Sequence, residues 1–193
     1  IGDIVRIECH MGQWNKPGDI WRASKSISGG ILYDWGVHLL EYALQLVNSE
    51  ITEVSGFSKR GFWANLTKWK DDTIEDEAFA TVRFKSGAWV TLCVTHIDSN
   101  PKRGMFEVTG TKGSMVLEYD THEIIVRDGE KTIVTKAKNP KEKWEMFYVN
   151  IAAHLTKNEP LVITPEWARR PIHILDLADR SAREGRAITA RYS

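Results

Sequence analysis

Cysteine is nearly absent from this chain: Cys9 and Cys93 are the only two in 193 residues. Two distant thiols exclude a disulfide-built scaffold, and neither sits in a spacing that suits a zinc site, so a reducing, cytoplasmic setting is the expectation. Charge of one sign is missing as well. Twenty-six basic side chains balance 26 acidic ones, and no basic run is interleaved with aromatics, which argues against nucleic acid and anionic membranes as partners. No apolar stretch reaches the roughly 20 residues that span a bilayer, and no charged-then-apolar leader opens the sequence. HxH and HExxH spacings are absent, so no metal is expected. A strand followed by GxGxxG and a helix, the cradle for a dinucleotide pyrophosphate, is also lacking.

The most informative stretch present is GGILYDWGVHLLE, residues 29–41. Asp34 and His38 stand four apart at the opening of a strongly apolar helix pattern, and residues four apart share a helix face. Glu41 and Gln45 extend that ribbon, while Leu39, Leu40, Leu44, Leu46 and Val47 occupy the other faces. A polar ribbon on so apolar a helix faces either solvent or a wet cavity. In a cavity, Asp34 and His38 become candidates for proton transfer.

The remaining pattern is mostly β. Residues 1–8 alternate as a strand from the first position, which reads as a piece cut from a longer protein. Residues 11–28, rich in Gly, Trp, Pro, Lys and Ser, read as an ordered loop with Trp21 in the core. The helix carrying Asp34 and His38 starts at Ser28 or Gly29 and ends near Asn48 and Ser49. Strands are expected at 52–62, 75–84, 88–97, 103–109, 114–119, 123–127 and 130–135. Turns at Lys85-Ser86-Gly87 and Asp128-Gly129 close two hairpins. Helices at 143–157 and 165–184 end the chain, the second with Thr164 as N-cap and Pro165 in its first turn. This order predicts an α+β domain over 1–193, with a large, mainly antiparallel mixed sheet and three helices on one face. The opposite face would show Phe79, Trp89, Thr91, Cys93 and Thr95. Antiparallel sheets tolerate one wet face, but aromatics there suggest a patch covered by another copy.

Several of these segments together carry a resemblance. The opening strand, Trp21-Arg22, the Gly29-Gly30…Asp34…His38 helix, Glu75-Asp76 and the Gly110-Thr111-Lys112-Gly113 turn stand in one order. They are followed by Val162 to Pro165 and then Ser181 to Arg186, and over essentially its whole length the chain resembles the C-terminal domain of the Gfo/Idh/MocA oxidoreductases. The resemblance implies a dihydrodipicolinate reductase-like C-terminal fold that walls a substrate site and builds a dimer or tetramer. It also implies an N-terminal Rossmann domain, missing here, that holds NAD or NADP and contributes a catalytic lysine. No dinucleotide is therefore expected to bind tightly to this chain, which should be inactive alone.

By the same resemblance Asp34 and His38 match a catalytic D-x-x-x-H motif, and the substrate would be a sugar, polyol or related hydroxy compound. Oxidising a secondary alcohol moves a hydride to the nicotinamide and a proton to a base. Histidine suits the second task because its ordinary pKa, about 6.5, lies near working pH. His38 is the expected acid/base and Asp34 its partner toward the substrate or the missing lysine. Arg22 and His96 are candidates for substrate binding, although an arginine pinning its own loop and a solvent-facing strand-end histidine are equally open readings. Gly29 and Gly30 are expected to serve a tight turn, and Glu41 and Gln45 to be solvated. Two alternatives stand beside the dehydrogenase: a non-catalytic assembly domain, and an NAD-assisted glycosidase or lyase on the same scaffold.

Overall fold

Alternating side chains dictate the centre of the molecule, seen in a computed structural model that describes residues 1–190; the 1–193 domain expectation runs three residues beyond these. Among the described residues, nine strands form one sheet: β1 (Ile4–Gly12), β2 (Ile51–Lys59), β3 (Glu77–Phe84), β4 (Trp89–Thr95), β5 (Phe106–Gly110), β6 (Gly113–Leu117), β7 (Thr121–Asp128), β8 (Lys131–Lys138) and β9 (Ile188–Thr189). Their order is β8-β7-β6-β5-β1-β4-β3-β2-β9. Only β1 and β4 pair in parallel, with His10 beside Cys93 and Gly12 beside Thr95; every other pairing is antiparallel. The sheet is mixed and mainly antiparallel, as the sequence pattern predicts.

The alternation of β3 works as expected. Ala78, Ala80, Val82 and Phe84 are buried, and they face the helices together with Val54 of β2 and Val90, Leu92 and Val94 of β4. Against this face lie α2 (Val37–Leu46) and α4 (Pro165–Glu184). Helix α4 starts where Thr164 accepts a hydrogen bond from the Trp167 backbone N–H, with Pro165 at its first turn, and stops at Gly185 in the left-handed conformation (φ 66°). Ile174, Leu175, Ala178 and Ser181 turn inward at helical spacing. The fit of α4 on β2 depends on Gly56, where a Cβ would lie 1.9 Å from the Ala178 carbonyl oxygen. Its N–H donates to Ser181 Oγ across the same gap, at 2.9 Å.

Two elements differ from expectation. Helix α3 (Glu145–Lys157) forms where its pattern places it but has no buried residue. Its sequence carries apolar side chains around the cylinder rather than along one stripe, so Met146, Phe147, Tyr148, Val149 and Leu155 are all exposed. On the uncovered face of the sheet, Phe79, Trp89, Thr91 and Cys93 align as predicted, but Thr95 is 2% exposed. The chain beyond β1 continues beside that end of β4, with Gln13 N–H donating to the Thr95 carbonyl at 3.1 Å.

Candidate active site

The segment that carries Asp34 and His38 is built by two glycines and a buried carboxylate. A single-turn helix, α1 (Lys25–Ser28), is capped by Ser24 Oγ. Gly29 and Gly30 then take positive φ, 87° and 122°, to double the chain back. Any Cβ on Gly30 would come within 2.6 Å of both Glu75 Oε2 and Lys25 Nζ. These two atoms belong to a tight cluster: Glu75, 5% exposed, accepts from the Ile31 backbone N–H at 3.0 Å and pairs with Lys25 at 2.8 Å. Lys25 also reaches Asp179 of α4 at 3.0 Å. Glu75 therefore satisfies an otherwise orphaned N–H at the start of the site helix and holds it to α4. The glycine pair serves that turn, as expected.

From there the chain winds through a π-helical turn, Leu32–Gly36, into α2. The missing side chain at Gly36 leaves room for Leu92, whose methyl would lie 3.1 Å from a Cβ. This close seat on β4 directs Asp34 and Trp35 into an open cleft of about 310 Å³. Gln13, Arg22, Thr95, His96 and Tyr119 line the cleft with them. Arg22 Nε lies 3.5 Å from Asp34 Oδ1, and its guanidinium is 4.6 Å above the Trp21 ring. Trp21 is 53% exposed and not a core residue, because its ring serves as the platform for Arg22 at the mouth of the cleft.

Three of the four sequence-predicted site residues thus meet: Asp34, Arg22 and His96. His38 is not among the groups lining the cleft. It is exposed, one turn along the helix, with its ring 6.0 Å from that of Trp35 in an edge-on arrangement. Glu41, expected to be solvated, instead accepts a hydrogen bond from Trp167 Nε1 of α4, with Gln45 beside it at 3.3 Å.

His96 meets the cleft with its ring held at Nδ1. Its Nδ1 lies 3.0 Å from the Asn15 carbonyl oxygen and 3.0 Å from Gln13 Nε2. Burial pushes its pKa below the ordinary histidine value; the Asn15 carbonyl and the carboxylates of Asp76 and Asp34 oppose that in part. Behind it the loop after β2 is fastened by Asp76, 1% exposed, which accepts from the backbone N–H groups of Phe62 and Trp63 at 2.8 and 3.0 Å. Trp63 Nε1 then donates to the His96 carbonyl at 3.0 Å. Sequence reasoning missed Gln13, Trp35, Thr95 and Tyr119. Trp35 lay inside the motif and could have been found there. The others come from strand ends and a loop whose approach to α2 only the tertiary fold sets.

The described residues offer no dinucleotide cradle. Gly110 and Gly113 close a turn between β5 and β6 under the chain start, where a Cβ on Gly110 would lie 2.3 Å from the Ile1 carbonyl oxygen. Both glycine pairs are thus occupied by packing. Among the described residues, no group of three or more His, Cys, Asp or Glu side chains could hold a metal ion, and no helix is long and apolar enough to cross a membrane.

Comparison with known proteins gives a consistent result. Residues 1–116 match the family model of the GFO/IDH/MocA C-terminal domain. Similar solved structures include an NAD-binding protein from Listeria innocua, 24% identical with a TM-score of 0.77, covering 97% of this chain and 55% of that one. Levoglucosan dehydrogenase in complex with NADH is 17% identical, TM-score 0.80, over 100% and 60% of the two chains. The aldose-aldose oxidoreductase from Caulobacter crescentus is 18% identical, TM-score 0.75, over 98% and 56%. The chain therefore spans between 55% and 60% of the length of these structures. No curated protein matches the sequence.

Proposed function

Because this chain belongs to the GFO/IDH/MocA C-terminal domain family, we propose that it is the substrate-binding and assembly half of an NAD(P)-dependent oxidoreductase acting on a sugar, polyol or related hydroxy compound. The dinucleotide is held by a separate N-terminal unit and the chain is inactive without it. The observation that carries this reading is the cleft in which Asp34, Arg22 and His96 converge. Such a cleft suits a small polyhydroxy compound, with Arg22 donating to substrate oxygens and Asp34 and His96 accepting from hydroxyls.

His38, exposed one turn further along the same helix, is the acid/base that takes the proton from the reacting hydroxyl once the dinucleotide unit closes the site, and Asp34 orients that hydroxyl. Both sit on one rigid helix seated on β4, the kind of support that keeps reacting groups in register. The uncovered sheet face with Phe57, Phe79 and Trp89 supplies the contact between copies.

The test is turnover of the chain supplied with a family dinucleotide-binding domain, against a panel of sugars and polyols, read by nicotinamide absorbance. NAD- or NADP-dependent oxidation of a hydroxy compound is expected, with kcat falling by about a hundredfold in His38→Ala. Turnover unaffected by His38→Ala and Asp34→Asn together would favour the assembly domain and defeat the reading.

A further inference from the structure

We propose that helix α3 is a second self-association surface: its exposed stripe of Trp144, Tyr148, Ile151 and Leu155 packs antiparallel against the same stripe of another copy of this chain. The contact is separate from the one on the open sheet face. It also goes beyond the oxidoreductase reading, since it needs nothing from the cleft.

Helix α3 has 13 residues and buries none of them within the chain. An isolated helix of about that length is marginal in water, and helices of this size owe their stability to a packed apolar face. The chain itself uses one side of α3. Asn150 donates to the Pro160 carbonyl at 3.0 Å and accepts from the Val162 N–H at 2.9 Å, and His154 Nδ1 donates to the Glu159 carbonyl at 2.7 Å. These bonds fold segment 159–163 back on the helix, where Val162 and Ile163 line a groove of about 380 Å³ with Met146, Val149 and Ala153. At 3.6 residues per turn, Trp144, Tyr148, Ile151 and Leu155 lie on the opposite side. Their spacing of four, three and four keeps a single line and is the period of a helix–helix seam. Trp144, Tyr148 and Leu155 are 74%, 69% and 76% exposed.

Three features select a second copy as the occupant. The first is area. With aromatic side chains burying roughly 150–250 Å² each, two such stripes face to face remove on the order of 1,000 Å², the size at which a contact becomes specific. The second is shape. In antiparallel order, centred between Tyr148 and Ile151, Trp144 meets Leu155 of the second copy and Tyr148 meets its Ile151, so each large ring faces an aliphatic side chain. The third is charge: antiparallel order sets the first turn, with Glu145, alongside the last turn, with Lys157, and opposes the two helix dipoles favourably. A two-fold axis closes this contact after two copies. Together with the sheet-face contact it joins two pairs into a tetramer.

The contact is read on the chain itself, in a Trp89→Glu background that removes the sheet-face contact. Sedimentation of that variant should still show a two-copy species at high chain concentration. Adding Leu155→Glu or Tyr148→Glu should weaken it by about a hundredfold. Both side chains are exposed, so unchanged urea midpoints separate lost association from lost folding. Hydrogen exchange over residues 144–157 should slow as chain concentration rises, and stay fast throughout in Leu155→Glu. Spin labels at Lys157→Cys, with the half-buried Cys93 replaced as Cys93→Ser, should stand about 25 Å apart. A separation of about 10 Å would mean parallel helices and overturn the arrangement. A monomer at every concentration in the Trp89→Glu background, or association insensitive to both glutamates, overturns the proposal. Protection of α3 that appears only when a dinucleotide-binding unit is added overturns it too, and gives the stripe to that unit.

Discussion

The two faces of strands β2, β3 and β4 are made of different sizes of side chain. Under α4 the residues are small: Gly56, Ala78 and Ala80 let the helix backbone approach until Ala178 touches β2. One residue along each strand, on the opposite face, stand Phe57, Phe79, Trp89 and Cys93, with Phe57 62% exposed. Farther along that face the side chains are charged and paired, Arg6 with Glu8 at 3.0 Å, Lys102 with Glu8 at 2.9 Å and Arg103 with Glu123 at 2.6 Å. One face is finished within this chain. The other holds aromatics at one end and an ion-pair ladder at the other, a layout suited to a partner that needs both area and register. Alternation alone thus gives the same strands one face buried under α4 and one left open.

The largest effect that could break this contrast is at Gly56. Gly56→Ala should cost about 3 kcal/mol in urea unfolding, because the new methyl meets backbone and not a flexible side chain. A loss below about 1 kcal/mol would show that α4 is not tightly seated. On the open face, Trp89→Glu should leave stability within about 0.5 kcal/mol while lowering the assembly by one step in sedimentation. Unaltered assembly would mean that the aromatics are simply wet. The smallest effect concerns pH. His10 and His96 are both held below the ordinary histidine pKa of 6.5, mainly by burial. The folded state therefore refuses protons that the unfolded chain accepts, so stability present above pH 6.5 should decline as pH falls through the lower folded values. Replacing His10 with Gln should flatten that decline; an unchanged slope would place its origin elsewhere.

Most of the fold was legible because both faces leave a period-two trace, and hairpin turns such as Asp128-Gly129 fix their own partners. Strand limits moved by a few residues, as at β1, which starts at Ile4 and runs to Gly12 rather than filling residues 1–8. The parallel pairing of β1 with β4 had no local signal, since it joins segments about 80 residues apart in the chain. Helix α3 shows the limit of pattern: its apolar residues predict a helix but not a surface for it to cover. In the site, the spacing of Asp34 and His38 predicts a shared face on an ideal helix, but that does not place both in one cleft. The π-helical turn and Trp35 intervene, and Trp21, apolar and so expected inside, is held at the surface by the guanidinium of Arg22. Loop residues such as Gln13 and Asn15, which meet the His96 ring at Nδ1, could not be joined to it by sequence distance.

The central claim, that the cleft of Asp34, Arg22 and His96 receives the substrate, is tested most directly by a crystal structure of this chain with its dinucleotide-binding domain and a turned-over sugar or polyol. The account predicts the ligand in that cleft, its reacting hydroxyl within hydrogen-bond reach, roughly 3 Å, of His38 or Asp34. A ligand seated elsewhere, with the cleft filled only by solvent, would contradict it.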